Sequence, residues 1–379
     1  MKRVLCLFLL VAIFFVVAPK QAVFAEANKS APSTCAKAMV LMEKQSGRIL
    51  AQKNADEQLS IASTTKIVTA LTVLENCKNL DQVVTIDKRS VGIEGTSIYL
   101  REGEKFTISD LLHGLMLRSG NDAATALAYA VGGDIPKFCD MMNKTAQKCG
   151  ATGCNFTNPH GLEKEGHHSS AKDLGNIARF AMQNADFARI VSTKQYRIAS
   201  TDDTTGRVLQ NKNKLLSRLD GADGVKTGFT KKAGRCLVSS CTRGGMTLIC
   251  VVLNCGPMWE ESERLLEWGF ENYSMRELLQ PYFVCGSMSV EGGSQPFVDV
   301  FSMKGFSYPL TDEEYQRVEV DFDHPSLVNA PVQKEKIIGK VEIKLDNDLL
   351  FEENIYTMEE VKSKFVRSGL KDLINNWFG

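Results

Sequence analysis

The sequence predicts an α+β domain over residues 26–275, a small β-sandwich domain over 276–357 and an amphipathic helix over 358–379. Three observations carry that expectation. β-like runs stand at both ends of the first segment with helical periodicity between them, so one antiparallel sheet flanked by helices joins the two ends. Beyond Met275 the pattern changes to short β-rich stretches separated by turn residues. From Met358 a helical period returns, with apolar and cationic residues on different faces.

Residues 1–25 stand apart from the fold. Lys2 and Arg3 precede an apolar stretch from Val4 to Ala18, and Val23-Phe24-Ala25 supplies small residues for a cut before Glu26. That is the pattern of a secretory leader, too short and wrongly flanked for a stable spanning helix. The mature chain is therefore expected outside the cytoplasmic membrane. The whole chain of 379 residues balances 45 Lys and Arg against 45 Asp and Glu. Losing the leader removes three cations and no acid, and a near-neutral chain has no general electrostatic attraction to nucleic acid. Eleven cysteines are many for an exported protein. Cys149/Cys154 and Cys236/Cys241 are spaced so that they could bridge, whereas Cys236 and Cys250 lie in apolar runs and read as small core residues. No C-x-x-C pair or Cys/His cluster has zinc spacing, so neither a metal nor a cofactor is expected.

In chain order, Glu26–Ser33 is a polar lead-in. Ala38–Glu43 and Arg48–Lys53 form a hairpin across Gln45-Ser46-Gly47. A buried helix follows from Ser63 to Cys77, because Ile67, Val68, Ala70, Leu71, Val73 and Leu74 recur at helical spacing. Val83–Ile86 is a short strand, and Thr107-Ile108-Ser109-Asp110 starts a helix through Leu117. Further helices are expected at Ala123–Val131, Ile135–Cys149 and Ala171–Met182, the last capped by Ser169. The β pattern returns at Gly224–Thr230, Cys236–Cys241 and Met246–Asn254, and a closing helix spans Trp259–Tyr273. The second domain shows Phe283–Val290, Phe297–Phe301, Val318–Phe322, Ile337–Leu345 and Leu349–Tyr356, with Asp346-Asn347-Asp348 as a hairpin turn. In the tail, Met358, Val361, Phe365, Leu370, Leu373, Ile374, Trp377 and Phe378 fall near one face, which suits a membrane interface.

Three motifs carry chemistry. Ser63-Thr64-Thr65-Lys66 places a hydroxyl and an amine one turn apart, where residues three apart are neighbours on a helix. Ser119-Gly120-Asn121 sits in a break between two helices, where side chains can enter a cleft. Lys226-Thr227-Gly228 lies in the first returning strand, and its glycine permits close approach of another backbone or a ligand. S-x-x-K alone arises about once or twice by chance in such a chain, so the weight rests on all three in order on suitable elements.

With these motifs the sequence resembles the low-molecular-mass penicillin-binding proteins, the serine-type D-alanyl-D-alanine carboxypeptidases of the penicillin-binding-protein-5 kind in peptidase family S11. The likeness spans leader, catalytic domain, β-rich domain and tail. It extends to Ile61-Ala62-Ser63-Thr64-Thr65-Lys66, Asn158-Pro159-His160-Gly161-Leu162, His168-Ser169-Ser170-Ala171 and Asp223–Thr230. It implies a β-lactamase/DD-peptidase-like fold with an inserted helical subdomain. It implies Ser63 as nucleophile on the D-alanyl-D-alanine bond of a peptidoglycan stem peptide, Lys66 as proton acceptor and Ser119 as proton relay. Asn121 would orient Lys66 and substrate, Lys226 and Thr227 would hold the terminal carboxylate beside Gly228, and the Ser63 and Phe229 N–H groups would form the oxyanion hole. β-Lactams would acylate Ser63, and the tail would hold the chain at the outer face of the cytoplasmic membrane.

Lys212 stands where some relatives carry arginine, and a lysine supplies the charge without a planar fork. His160, His167 and His168 read as loop-structural, since Ser–Lys chemistry needs no histidine, and Asp223 reads as a turn residue. Endopeptidase or weak transpeptidase activity would use the same acyl-enzyme. A class A β-lactamase needs a glutamate in an E-x-x-L-N context, which Glu163 and Glu165 do not provide. A catalytically idle wall-binding module would not require the serine and both lysines.

Overall fold

The computed structural model describes residues 31–198 and 206–364. The leader, residues 26–30 of the lead-in and the tail beyond Lys364 lie outside the described residues.

A five-stranded antiparallel sheet organises the first domain. Its strands are β1 (Ala38–Glu43), β2 (Ile49–Lys53), β3 (Ala222–Thr230), β4 (Gly234–Arg243) and β5 (Met246–Leu253), in the spatial order β2-β1-β5-β4-β3. Ala38 pairs with Leu253, so the N-terminal hairpin and the returning strands form one sheet, as the sequence predicts. Every residue of β1 and β5 is buried because both faces of the sheet are covered, which is why these strands read as unbroken apolar runs. Val40, Met42, Val238, Ile249 and Val251 face one core. Leu41, Leu237, Leu248 and Val252 face the other, as the two-residue period of a strand requires.

The first core is roofed by α1 (Lys66–Asn76), α2 (Ile108–Leu117), α3 (Asn121–Gly132), α4 (Ile135–Lys148), α5 (Ala171–Ala181) and α6 (Ala185–Ser192). The opposite core is closed by α7 (Met258–Asn272), which lays Leu265 and Leu266 on the sheet. The start of α2 follows the sequence: Thr107 and Asp110 form a reciprocal capping box. The cap of α5 is Ser170, not Ser169. The Ser170 hydroxyl accepts from Asp173 N, while Ser169 is held by backbone bonds to Leu59. Helix α6 and the hairpin pairing Gln195–Ile198 with Arg207–Gln210 were not legible from hydrophobic period, since both elements are short.

The second domain is β-rich, as expected. Its strands are β6 (Ser274–Leu279), β7 (Val284–Glu291), β8 (Phe297–Ser302), β9 (Phe306–Leu310), β10 (Val318–Asp323), β11 (Leu327–Asn329), β12 (Ile337–Leu345) and β13 (Asp348–Thr357). Six of them form a sheet in the order β10-β12-β13-β8-β7-β11, and β6 pairs with β9. Met288, Val298, Val300, Val341, Ile343 and Ile355 fill its core.

The expected tail helix does not begin at Met358. Val361 exchanges backbone bonds with Val332 and is fully buried in the β-domain core, so residues 358–364 extend that domain. Burial of one valine against a sheet outweighs the weak helical period there, and the remainder of the expected helix lies outside the described residues.

The two domains meet through Arg48. Its guanidinium lies over the rings of Tyr273 and Tyr308, 5.3 and 5.2 Å from their centroids, and grips the Glu314 carboxylate with both terminal nitrogens. The ten cysteines of the described residues are free thiols. Cys236 and Cys241, whose spacing allowed a bridge, face opposite cores from β4 and cannot meet.

Candidate active site

Ser63 does not open an α-helix directly. Residues Ala62–Thr65 form a 3₁₀ turn, and α1 begins at Lys66. The two threonines cause this. Thr64 Oγ1 donates to Ile61 O at 2.6 Å and Thr65 Oγ1 donates to Ala62 O at 2.8 Å, tightening the turn ahead of the helix. Ala62 takes a left-handed φ of +49°, so the chain is bent sharply just before Ser63.

Lys66 sits one turn on, completely buried. Its Nζ lies 3.0 Å from Ser63 Oγ, 2.6 Å from Asn121 Oδ1 and 2.7 Å from His160 O. An ammonium has three protons and no lone pair, so those three acceptors would saturate it. Burial is the largest influence on this group, and the cations of Lys226 and Lys212 add to it. Together they hold its pKa well below the ordinary lysine range. In the neutral form the amine donates to Asn121 and His160, and its lone pair is left for the Ser63 hydroxyl proton.

The Ser119 motif enters from the other side. Ser119 is buried with φ +65° in the break between α2 and α3, and Asn121 is the first residue of α3. The Asn121 amide is held at both ends, because its Nδ2 donates to Glu94 O at 2.6 Å while Oδ1 faces Lys66. Sequence reasoning missed Asp122. Its buried carboxylate accepts from Ser97 Oγ and from the N–H groups of Ile98 and Leu100, which ties the 94–100 loop against α3. The available signal was an acid in the first turn of a helix directly after the motif.

The third motif lies alongside. A Cβ built on Gly228 would stand 3.1 Å from Ser63 N and from Thr64 N, so a side chain there would push β3 off the Ser63 turn. Lys226, two residues earlier in the strand, is buried and donates to Thr227 O at 2.9 Å. Burial first, then Lys212, brings its pKa down to about 7. Lys226 stands near enough to Lys66 to lower its pKa and does not point across the molecule. Thr227, the next residue, is half-buried, and Phe229 is 65% exposed.

The 158–168 loop completes the site through its backbone. Asn158 Oδ1 accepts from Gly161 N at 2.7 Å and its Nδ2 donates to Leu162 O, a local turn that aims His160 O at Lys66. Gly161 has φ +85°, and a Cβ there would fall 1.9 Å from Ala62 O. His167 Nδ1 accepts from Thr157 N, which leaves its Nε2–H to donate to Thr65 Oγ1 at 2.9 Å. Burial lowers its pKa to about 4 and that of His160 to about 3, so both rings are neutral and structural. His160 meets Lys66 through its carbonyl, a contact that residue type alone could not reveal.

A hydroxyl hydrogen-bonded to a buried lysine, with a second lysine on the adjacent strand, defines the class of serine–lysine acyl-transfer enzymes. The profile of the D-alanyl-D-alanine carboxypeptidases matches residues 25–256, and that of the penicillin-binding protein 5 C-terminal domain matches 273–363. The chain belongs to the D-alanyl-D-alanine carboxypeptidase family, peptidase S11. It is 31% identical to D-alanyl-D-alanine carboxypeptidase DacF of Bacillus subtilis, over 100% of this chain and 99% of that one. It is 31% identical to D-alanyl-D-alanine carboxypeptidase DacC of Escherichia coli, over 97% and 95%. The crystal structure of penicillin binding protein 5 from Haemophilus influenzae superposes with a TM-score of 0.74 at 30% identity, covering 88% of this chain and 99% of that one.

Gly161→Ala tests the loop. The left-handed backbone alone costs alanine about 1–2 kcal/mol, and the overlap with Ala62 O adds to it. The expected outcome is acylation by penicillin at least ~10-fold slower with an unchanged circular-dichroism spectrum. An unaltered acylation rate would show that the His160 carbonyl does not matter.

Proposed function

We propose that this chain removes the terminal D-alanine from peptidoglycan stem pentapeptides through an acyl-enzyme on Ser63. One observation carries the reading: the Ser63 hydroxyl and the buried Lys66 amine lie 3.0 Å apart, against the strand that bears Lys226. Ser63 Oγ attacks the carbonyl of the penultimate D-alanine while its proton passes to the neutral Lys66. The C–N bond then breaks, and the departing amine receives a proton from Lys66 by way of Ser119. Water attacks the ester, the shortened stem peptide leaves with its remaining D-alanine as the new carboxylate end, and Ser63 regains its proton.

Electrostatics support the choice of a chain end. Lys226 and Lys212 lie close enough to depress Lys66, and Lys212 close enough to depress Lys226, so the pocket favours an anion. The terminal carboxylate supplies it, held by Lys226 and Thr227 with Lys212 at the margin. The oxyanion would be held by the Ser63 N–H and by that of Phe229, the residue after Gly228, and the proximity of Gly228 to Ser63 N supports this reading. β-Lactams carry the same carboxylate and carbonyl and would acylate Ser63.

A cell-wall substrate places the activity outside the cytoplasm, consistent with the leader pattern. Attachment to the membrane would fall to the tail from Phe365 onward, where Leu370, Leu373, Ile374, Trp377 and Phe378 recur near one helical face with Arg367 and Lys371 on others. Val361 has no part in it, since it is committed to the β-domain core.

Intact-mass measurement after penicillin exposure should show one adduct in the wild type and none in Ser63→Ala. Paired with release of D-alanine from a pentapeptide, this tests the reaction itself, and an adduct persisting in the variant would refute it.

The second-order acylation constant should follow a bell in pH, because it reports groups of the free enzyme. It falls on the acid side as Lys66 gains its proton and on the alkaline side as Lys226 loses its own, near 7. Lys212→Met removes a repelling cation and should move the alkaline limb upward. An unmoved limb would mean that Lys226 does not govern it.

Truncation after Lys364 should abolish sedimentation with vesicles of anionic phospholipid while leaving acylation intact. Continued sedimentation of the truncated chain would remove the anchoring role.

A further inference from the structure

Cys35 and Cys255 are distant in sequence and adjacent in space. Their Sγ atoms lie 3.6 Å apart, the one thiol–thiol contact among the described residues. Cys35 precedes β1, and Cys255 follows β5, the strand paired with β1. The ladder continues past the strand ends, for Lys37 N donates to Leu253 O at 3.0 Å, and Cys255 N donates to Arg235 O at 2.9 Å. The Cys255 backbone is therefore held, and Cys35 stands two residues before the first bond of the ladder, so rotation of its side chain is enough to bring the sulfurs together. The two thiols differ in access: Cys35 is exposed and Cys255 is fully buried.

We propose that Cys35 and Cys255 are a site of intrachain disulfide formation, closed by exchange with a small disulfide oxidant in the space outside the cytoplasm. The Cys35 thiolate attacks one sulfur of the oxidant and expels a small thiolate, leaving a mixed disulfide at the surface. Cys255 then loses its proton, attacks the Cys35 sulfur and expels the second small thiolate. Two protein thiols are oxidised, the oxidant's disulfide is reduced to two thiols, and two protons leave with them. Exposure decides the order, since only Cys35 can meet the oxidant. Burial also keeps the Cys255 thiol protonated well above the usual range, so it reacts only with a partner already in contact.

The bond would tie the start of the sheet to its last strand and close most of the catalytic domain into one covalent loop. A loop of that length restricts the unfolded chain strongly, so the oxidised form should be the more heat-resistant. The pair packs on the α7 side of the sheet, where Cys255 joins the core opposite the one that carries α1 and Lys66. Closure should therefore leave the chemistry at Ser63 unchanged. This inference is independent of the reaction proposed there.

The test equilibrates the purified chain with mixtures of reduced and oxidised glutathione, alkylates the remaining thiols and measures intact mass and peptide maps. Expected are two fewer alkylated thiols, a Cys35 peptide joined to the Cys255 peptide, reversal by dithiothreitol and a Tm higher by several degrees. Penicillin acylation should be the same in both forms. Cys35→Ser, an exposed and conservative change, should abolish the link, and Cys250→Ser should retain it, which distinguishes the two cysteines expected on one peptide. Cys35 remaining alkylatable, stopping as a glutathione adduct, or joining any cysteine other than Cys255 would each overturn the proposal.

Discussion

The structure depends on keeping one amine, that of Lys66, out of water. A buried ammonium without compensation is costly, and a protein meets that cost either by supplying a counter-ion or by letting the group lose its proton. At this position three neutral oxygens surround the nitrogen, and two further lysines stand nearby. That environment disfavours the cation and orients the free amine at Ser63 Oγ. The lowered pKa of this lysine follows from its placement and not from any special property of the residue.

Each of the three oxygens needs its own support, and the site is consequently built in layers. Asn121 is clamped between Lys66 and Glu94 O, while the Asp122 carboxylate fixes the loop that presents Glu94. His160 O is aimed by the Asn158 side chain and by a glycine that alone can pass Ala62. Ser63 is set by the hydroxyls of Thr64 and Thr65, and the neutral ring of His167 holds Thr65. Left-handed backbone at Ala62 and Ser119 marks where the chain accepts strain to bring these groups together. The β-domain lies outside this network, gripped through Arg48 between two tyrosines, and its contribution to the site is positional at most.

Much of this was legible in the chain itself. The unbroken apolar runs at Ala38–Glu43 and Met246–Asn254 announced a sheet joining both ends of the catalytic domain, because a two-sided core demands such strands. The spacing of Ser63 and Lys66 was enough to place a hydroxyl beside an amine, since helical geometry is local. The Thr107–Asp110 stretch announced a helix start for the same reason, and the structure shows it closed by a capping box. Local rules misled where a neighbour won: Ser170 displaced Ser169 as a cap once Leu59 claimed the latter, and Val361 left the helical pattern for the β-domain core.

Residue order by itself singled out the candidate groups: two serines, two lysines and an asparagine on recognisable motifs. Only the tertiary structure decided that Lys66 meets Asn121, that Gly228 packs against the Ser63 turn, that the carbonyl of His160 faces Lys66, and that Cys35 touches Cys255 and not a cysteine closer in sequence. The division has a physical basis. Periodicity, capping and motif spacing depend on neighbours within a turn or two. Proximity between residues 66 and 226, or 35 and 255, is set by how sheet register and helix packing bring distant segments together, and no local pattern encodes that.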